Sequence, residues 1–338
     1  MNTMRSKLIV EYNGVDATDI IADDCDTFTW KDNASGAADT ITLNLANLNQ
    51  KWMNGFYPSD EDVFKAWIQL QEWAAGYKEG KVYCGTFMVD SLKYSGFPET
   101  LQLSAISTPI DSNFNVKQKN RTWNKTTVRT ILNDIAAAAG ITLVYDAEDI
   151  GVDSINQNGK TDLSFAYSLC SDYGLSVKLY NIKMVVYDQT MYEKKEPAYT
   201  IAHDQLGGSG SYSITNQVTT VYDSVKIQYT SGKKGKAITY EYTIPGKDGK
   251  RQMFISTKAE SYSDAEKKAK AALRENIRKS RTITIKMMGS AKYMAADCFN
   301  LSGFGKLDGI YFIDSVTHQK SGGKYTVLLA AHMVVTNF

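Results

Sequence analysis

Three histidines, four cysteines and a scatter of carboxylates are what this 338-residue chain offers for chemistry. A zinc site needs His and Cys at short fixed spacings, and His203, His318 and His332 form no His-x-x-x-His or His-x-Glu. Cys25, Cys84, Cys170 and Cys298 make no Cys-x-x-Cys pair. Cys84 and Cys298 fall in strand-like runs and Cys170 inside a helical pattern. Buried free thiols in a reducing compartment are therefore expected, not the exposed thiolate of a Cys-His hydrolase. No Gly-x-Ser-x-Gly elbow occurs. GGSGS at 207–211 and GFGKLDG at 303–309 lack the Gly-Lys-Ser/Thr of a phosphate loop and lead into no helix, so they read as turns. The basic stretches 233–236 and 247–251 carry no interleaved aromatics and read as hairpin tips, with no sequence-specific nucleic-acid binding expected. Asp90 and Asp314 are the one recurring acid pair. As glycosidase acids they would have to face each other across a cleft, so they read instead as shaping a turn or an interface. No catalytic, cofactor or metal site is expected.

Those two aspartates belong to a repeat. GTFMVDS at 85–91 and GIYFIDS at 309–315 are nearly the same string. With two extra residues in the second turn, Ser95-Gly96 falls on Ser321-Gly322, Thr100 on Thr326, Leu103 on Leu329 and Ala105 on Ala331. Each copy is an apolar run, a Gly-containing turn and a second β-prone run, which predicts two related β-hairpins.

The elements around them divide the chain in three. Residues 1–112 read as short, regularly spaced strands, as in a sandwich or barrel. Residues 113–198 read as a small α/β domain. A helix over 126–140 is capped by Thr126 or Thr127 and stopped by Gly140; a second, TDLSFAYSLCSDYG, stops at Gly174, and the hairpin LSVKLYN–KMVVYD follows. Residues 199–338 return to strands around one helix. Its buried stripe is Ala265, Ala269, Leu273 and Ile277, and Ser263 with Glu266 is the expected capping box. No apolar stretch approaches the ~20 residues of a membrane span, and the N-terminus enters a strand with no signal-peptide core, so synthesis in a cytoplasm is expected. The first segment holds 8 Lys/Arg against 16 Asp/Glu, the middle 10 against 10, and the last 20 against 11. An acidic and a basic end in one chain predict that the ends meet, within a subunit or between subunits. Asp23, Asp24, Asp26, Asp90 and Asp314, with Lys267, Lys268 and Arg274, are the candidate inter-subunit contacts.

From residue 259 onward the order of features resembles the phage late control D protein family, the baseplate hubs of contractile tails. A basic Ala-rich helix is followed by a strand, Ala296-Asp297 before another strand, the Gly303-Phe304-Gly305 loop, Gly309-Ile310-Tyr311-Phe312-Ile313, Ser315-Val316-Thr317-His318, and a Gly-Gly turn before Tyr325-Thr326. TITLNLANLNQKW, CGTFMVDSLKYSGFPETLQLSA, RTWNKTTVRTILNDIAAAAGI and TDLSFAYSLCSDYGLSVKL extend the resemblance over essentially the whole chain. The resemblance implies an α+β, mainly β fold, with two related β-barrel domains flanking the small α/β domain. It implies a non-enzymatic homotrimer whose six barrels join a sixfold tail tube, or tube-initiator protein, to a threefold central spike. It further implies contact with the tape-measure protein and baseplate wedge components, in a virion or tail-like particle assembled in a bacterial cytoplasm. The chain stops at Phe338, so spike and lysin functions are expected on other chains. The competing expectations are a cell-wall-degrading or carbohydrate-binding tail protein, and a sixfold adaptor at another tail level.

Overall fold

The computed structural model describes residues 4–59, 62–74, 77–108, 112–208, 210–230, 237–336 and 338. The basic stretch at 233–236 lies outside them.

The first segment forms β1 (Arg5–Tyr12), β2 (Val15–Asp16), α1 (Thr18–Asp24), β3 (Cys25–Asn33), β4 (Thr40–Ala46), β5 (Val63–Ala74), β6 (Tyr77–Ser95) and β7 (Thr100–Ile106). The middle segment forms β8 (Thr122–Thr127), α2 (Val128–Ala138), β9 (Thr142–Asp146), β10 (Gly151–Asn156), α3 (Asp162–Asp172), β11 (Leu175–Tyr180), β12 (Lys183–Asp188) and α4 (Gln189–Glu193). The last forms β13 (Tyr199–Ala202), β14 (Tyr212–Asn216), β15 (Ser224–Thr230), β16 (Ala237–Thr243), β17 (Gln252–Ile255), α5 (Tyr262–Ser280), β18 (Arg281–Met288), β19 (Cys298–Ser302), β20 (Gly309–Ser321) and β21 (Lys324–Met333).

The repeat is kept in register. In the first hairpin Val89 pairs with Ala105 and Leu92 with Leu103; in the second Ile313 pairs with Ala331 and Val316 with Leu329. The next strand out repeats too, since Leu43 faces Leu103 as Ile285 faces Leu329. Both copies of the motif break the ladder at the same place: the register slips between Val89 and Ser91, and again between Ile313 and Ser315. Asp90 and Asp314 are thus the extra residues of two equivalent β-bulges, which bend the strand and re-aim its side chains. The motif glycines also match, with Gly85 at φ +132° and Gly309 at +150°, backbone that side-chain-bearing residues rarely adopt. One detail of the alignment changes. Thr100 and Thr326 face Ser95 and Gln319, so Ser95 corresponds to Gln319 rather than Ser321, and the two extra residues lengthen the second hairpin's strands.

Two closed barrels do not form. Among the described residues the strands of both repeats join one thirteen-stranded sheet with no closed barrel. The reason is a ladder between repeats: Thr27–Asn33 of β3 pair antiparallel with Ser315–Ser321 of β20. The β3 edge that a self-contained barrel would turn back on itself is satisfied by the other repeat. The apolar core follows the sheet and runs from Leu8 to Ala331 through both.

The middle segment packs α2 and α3 on the sheet β11-β12-β9 around its own core. Thr127 and Thr161 cap its helices by accepting from the Thr130 and Ser164 amides. The third core lies between α5 and the sheet β16-β15-β17, where Ala265, Ala269 and Leu273 are buried. The cap of α5 sits two residues earlier than expected. Ser261 accepts from the Asp264 amide, and the Asp264 carboxylate accepts from the Glu260 amide. Ser261/Asp264 and Ser263/Glu266 have the same spacing, and Glu266 instead pairs with Lys270 one turn on.

Candidate functional site

Two buried ion clusters bind the middle segment to the β sheet. In the first, the bulge at Asp314 and the end of β21 meet α4 and α5. His332 donates from Nδ1 to Asp314 (2.8 Å) and from Nε2 to Glu193 (3.1 Å). The same Glu193 oxygen accepts from Arg278 Nε (2.6 Å) and Gln189 Nε2 (3.2 Å). Arg278, Glu193 and His332 are all buried. Burial works against the His332 charge, but the hydrogen bonds to Asp314 and Glu193 outweigh it and hold the imidazole up to about 9. Burial likewise opposes charge on Glu193, yet His332 and Arg278 keep its carboxyl below the usual range. The cluster forms part of the wall of a cleft of about 690 Å³, which Ser164, Ser168 and Ser171 of α3 also line. An imidazolium with both nitrogens donating to carboxylates has no lone pair to accept a proton, so His332 is not placed to act as a general base.

In the second cluster, Lys178 of β11 pairs with Asp32 of β3, reaches Asp39 at 3.4 Å and donates to the Asn33 carbonyl at 2.9 Å. Asp32 and Asp39 are 1% and 0% exposed. Burial raises the Asp39 carboxyl, Lys178 pulls it back, and Asp32 pushes it up again. Beside them Tyr187 donates to the Ala34 carbonyl (2.9 Å) and the Val177 amide to Ser35 Oγ (3.1 Å).

The other buried histidine lies in the joint between repeats. His318 of β20 stacks on Trp30 of β3, ring centres 4.4 Å apart, and both are fully buried. Burial pushes this imidazole down to about 4, against the pull of the Asp32 carboxylate. The two histidines give stability opposite pH dependences. His332, raised above its unfolded value, stabilises fully below about pH 6.5, and that contribution is lost as pH rises towards 9. His318, depressed, stabilises fully above about 6.5 and loses that as pH falls towards 4. Each effect is on the order of 3 kcal/mol. In urea unfolding, His332→Gln should remove most of the decline between about pH 6.5 and 10, whereas on the acid side the raised Asp39 carboxyl opposes His318. An unchanged alkaline limb in that variant would refute the charged assignment.

The residues singled out from sequence do not converge. Asp23 and Asp26 are exposed around the junction of α1 and β3. Asp24 is turned inward, accepting from Lys51 Nζ (2.6 Å) and Trp52 Nε1 (3.1 Å), and so fixes the 3-10 turn at Leu48–Met53. Asp90 is exposed on its bulge, whereas Asp314 holds His332. On α5, Lys267 is exposed, Lys268 pairs with Asp264 (3.0 Å), and Arg274 donates to Thr190 Oγ1 (3.1 Å). By strand register the α1–β3 junction and the end of α5 lie at opposite ends of the sheet. Cys84, Cys170 and Cys298 are buried, and burial pushes their thiols up, so none is a poised thiolate. Among the described residues no group of three or more His, Cys, Asp or Glu is placed to hold a metal ion, and no helix is long and apolar enough to cross a membrane.

What the geometry offers is architecture: a duplicated sheet, bulges in matching places, and buried ion pairs locking a third unit onto it. The 43 kDa tail protein of prophage MuSo2 from Shewanella oneidensis superposes on it with TM-score 0.72 at 12% identity, over 97% of this chain and 98% of that one. The fold is that of phage tail proteins. The tail protein from Neisseria meningitidis MC58 gives TM-score 0.71 at 14% identity, over 97% and 96%. The Escherichia coli c3393 protein, a component of the type VI secretion system similar to T4 tail proteins gp27 and gp5, gives 0.56 at 12% identity, over 97% and 77%. Residues 207–331 match the family described as YQBQ-like. Comparison with curated protein sequences gives no match.

Proposed function

We propose that this chain is a structural hub of a contractile tail or tail-like injection device. It acts as a homotrimeric adaptor between the sixfold tail tube and a threefold central spike, and forms part of the central channel. The observation that carries the reading is the register-matched duplication. Three copies of a chain with two equivalent repeats present six similar units, which reconciles threefold with sixfold neighbours. Likeness to phage tail proteins over nearly the full length of both chains supports the tail setting. The acidic first and basic last segments favour unlike repeats as neighbours round such a ring. The reading includes contact with a tape-measure protein in the channel and with baseplate wedge components outside. A mechanical role is supported by the recurring acid pair: Asp314 is held by His332, and Asp90 lies exposed on its own bulge in the other repeat.

Electron microscopy of the purified chain, alone and with a spike-type tail protein, classified without imposed symmetry, tests this. Hollow three-subunit rings with six lobes are expected. Compact monomers in both samples, or cell-wall hydrolysis abolished by one acidic substitution, would overturn it.

A further inference from the structure

The joint between repeats is a pattern used once where the duplication supplies it twice. Strand β14 stands to β18 as β3 stands to β4: Ser213 faces Thr284 and Ile214 faces Ile283, as Thr29 faces Thr42 and Trp30 faces Ile41. Strand β6 corresponds to β20, so Leu92 matches Val316 and Tyr94 matches His318. Within the chain β3 and β20 pair, with Trp30 opposite His318 and Lys31 opposite Thr317. Their counterparts have no such neighbour. Among the described residues β14 is laddered to β18 alone, and Ser91–Ser95 of β6 to β7 alone.

Burial marks the same difference. Phe28 is 1% exposed, and its counterpart Tyr212 is 39% exposed. Trp30, Val316 and His318 are fully buried; Ile214, Leu92 and Tyr94, at the matching positions, are only partly buried. An uncapped strand whose inward side chains are half covered is an incomplete interface, and such edges pair with other chains unless protected. Neither edge carries an inward-pointing charge or a proline: β14 reads YSITN, and the β6 edge reads SLKYS with its lysine on the exposed face.

We infer that β14 of one copy adds to the Ser91–Ser95 edge of β6 in a second copy, antiparallel and in the register of the internal joint. Ile214 then lies opposite Tyr94, Thr215 opposite Lys93 and Ser213 opposite Ser95 of that second copy. Each chain gives one edge and receives one, so the contact is head-to-tail, and it closes into a ring once the last β14 meets the first β6. This deepens the hub reading, on which it depends only for the number of copies that close the ring.

The test is a designed disulfide. Facing Cα atoms of antiparallel strands lie about 4.5–5.5 Å apart, inside the range a disulfide spans. Lys93→Cys with Thr215→Cys should give covalent oligomers on oxidation, running as higher bands that a reductant removes. Lys93→Cys with Ser213→Cys, two residues out of register, should give at least tenfold less. Lys31→Cys with Thr317→Cys, across the internal joint, is the positive control and should close within one chain. Oxidation is done on the purified chain at low and at high protein concentration. If the control closes and Lys93→Cys/Thr215→Cys stays monomeric in both settings, the inference fails. Three-subunit rings seen by microscopy in the same samples would then leave the hub reading standing on another interface. An absence of rings as well would remove both.

Discussion

Replacing Lys178 by Met is expected to cost about 3–5 kcal/mol of unfolding free energy at neutral pH, the scale for removing one partner of a buried ion cluster. Methionine keeps most of the lysine stem's volume, so packing changes little and the loss is electrostatic. Asp32 and Asp39 would be left facing one another, both essentially without solvent, and with only neutral donors nearby. The carboxyl pair must then take up a proton to stay folded. The variant should therefore recover stability as pH falls, opposite to the usual acid destabilisation of a salt-bridged carboxylate. Restoring neutrality with Asp32→Asn and Asp39→Asn in the same chain should regain a large part of the loss. Equilibrium urea unfolding followed by tryptophan fluorescence measures all three, and a loss below about 1 kcal/mol for Lys178→Met would show that water reaches the cluster.

Glu193→Ala is the second large effect, again about 3–5 kcal/mol. Glu193 is the carboxylate shared by Arg278, His332 and Gln189, and without it two buried cations face each other. The titration should change with the stability: the His332 ring, held up near 9 in the intact cluster, should titrate well below that in the variant, followed by its imidazole proton resonances. Because Glu193 ends α4 while Arg278 and His332 belong to α5 and β21, local loosening should appear there first. Amide exchange should speed up most at residues 189–195 and 275–280, ahead of the β3–β20 ladder. Uniform exchange throughout would mean that the cluster stabilises the whole molecule rather than a joint.

The repeat was legible because seven letters recur at the point where backbone requirements are strictest. Gly85 and Gly309 meet a positive φ, and Asp90 and Asp314 meet a bulge. Helices α2 and α3 were legible from their caps and terminal glycines, which act within a few residues. Helix α1 was not: TDIIADD is short, polar, and without a side-chain cap. Barrel closure could not be read from period-2 alternation, which sets the face of a strand but not its neighbour. That the edge of β3 meets β20 depends on residues that Thr27 and Ser321 represent, 294 positions apart. The His332 cluster failed for the same reason, since its acid lies 139 positions away on a five-residue helix. The surface acids were the least legible, as Asp23, Asp24 and Asp26 differ in orientation, not in kind.

The internal joint also sets the order in which this chain can be completed. Strand β3 leaves the ribosome well before its partner β20, Thr27 and Ser321 being 294 positions apart, so through that interval one long edge of the first repeat has no neighbour, while the residues that cover it do not yet exist. At a translation rate of about 5–20 residues per second that interval lasts tens of seconds. Nascent chains on one message would hold matching β3 and β20 edges within reach of each other, and a β20 emerging from one could be taken up by the β3 of another. A swap of that kind preserves every hydrogen bond of the finished sheet and differs only in which polypeptide supplies it.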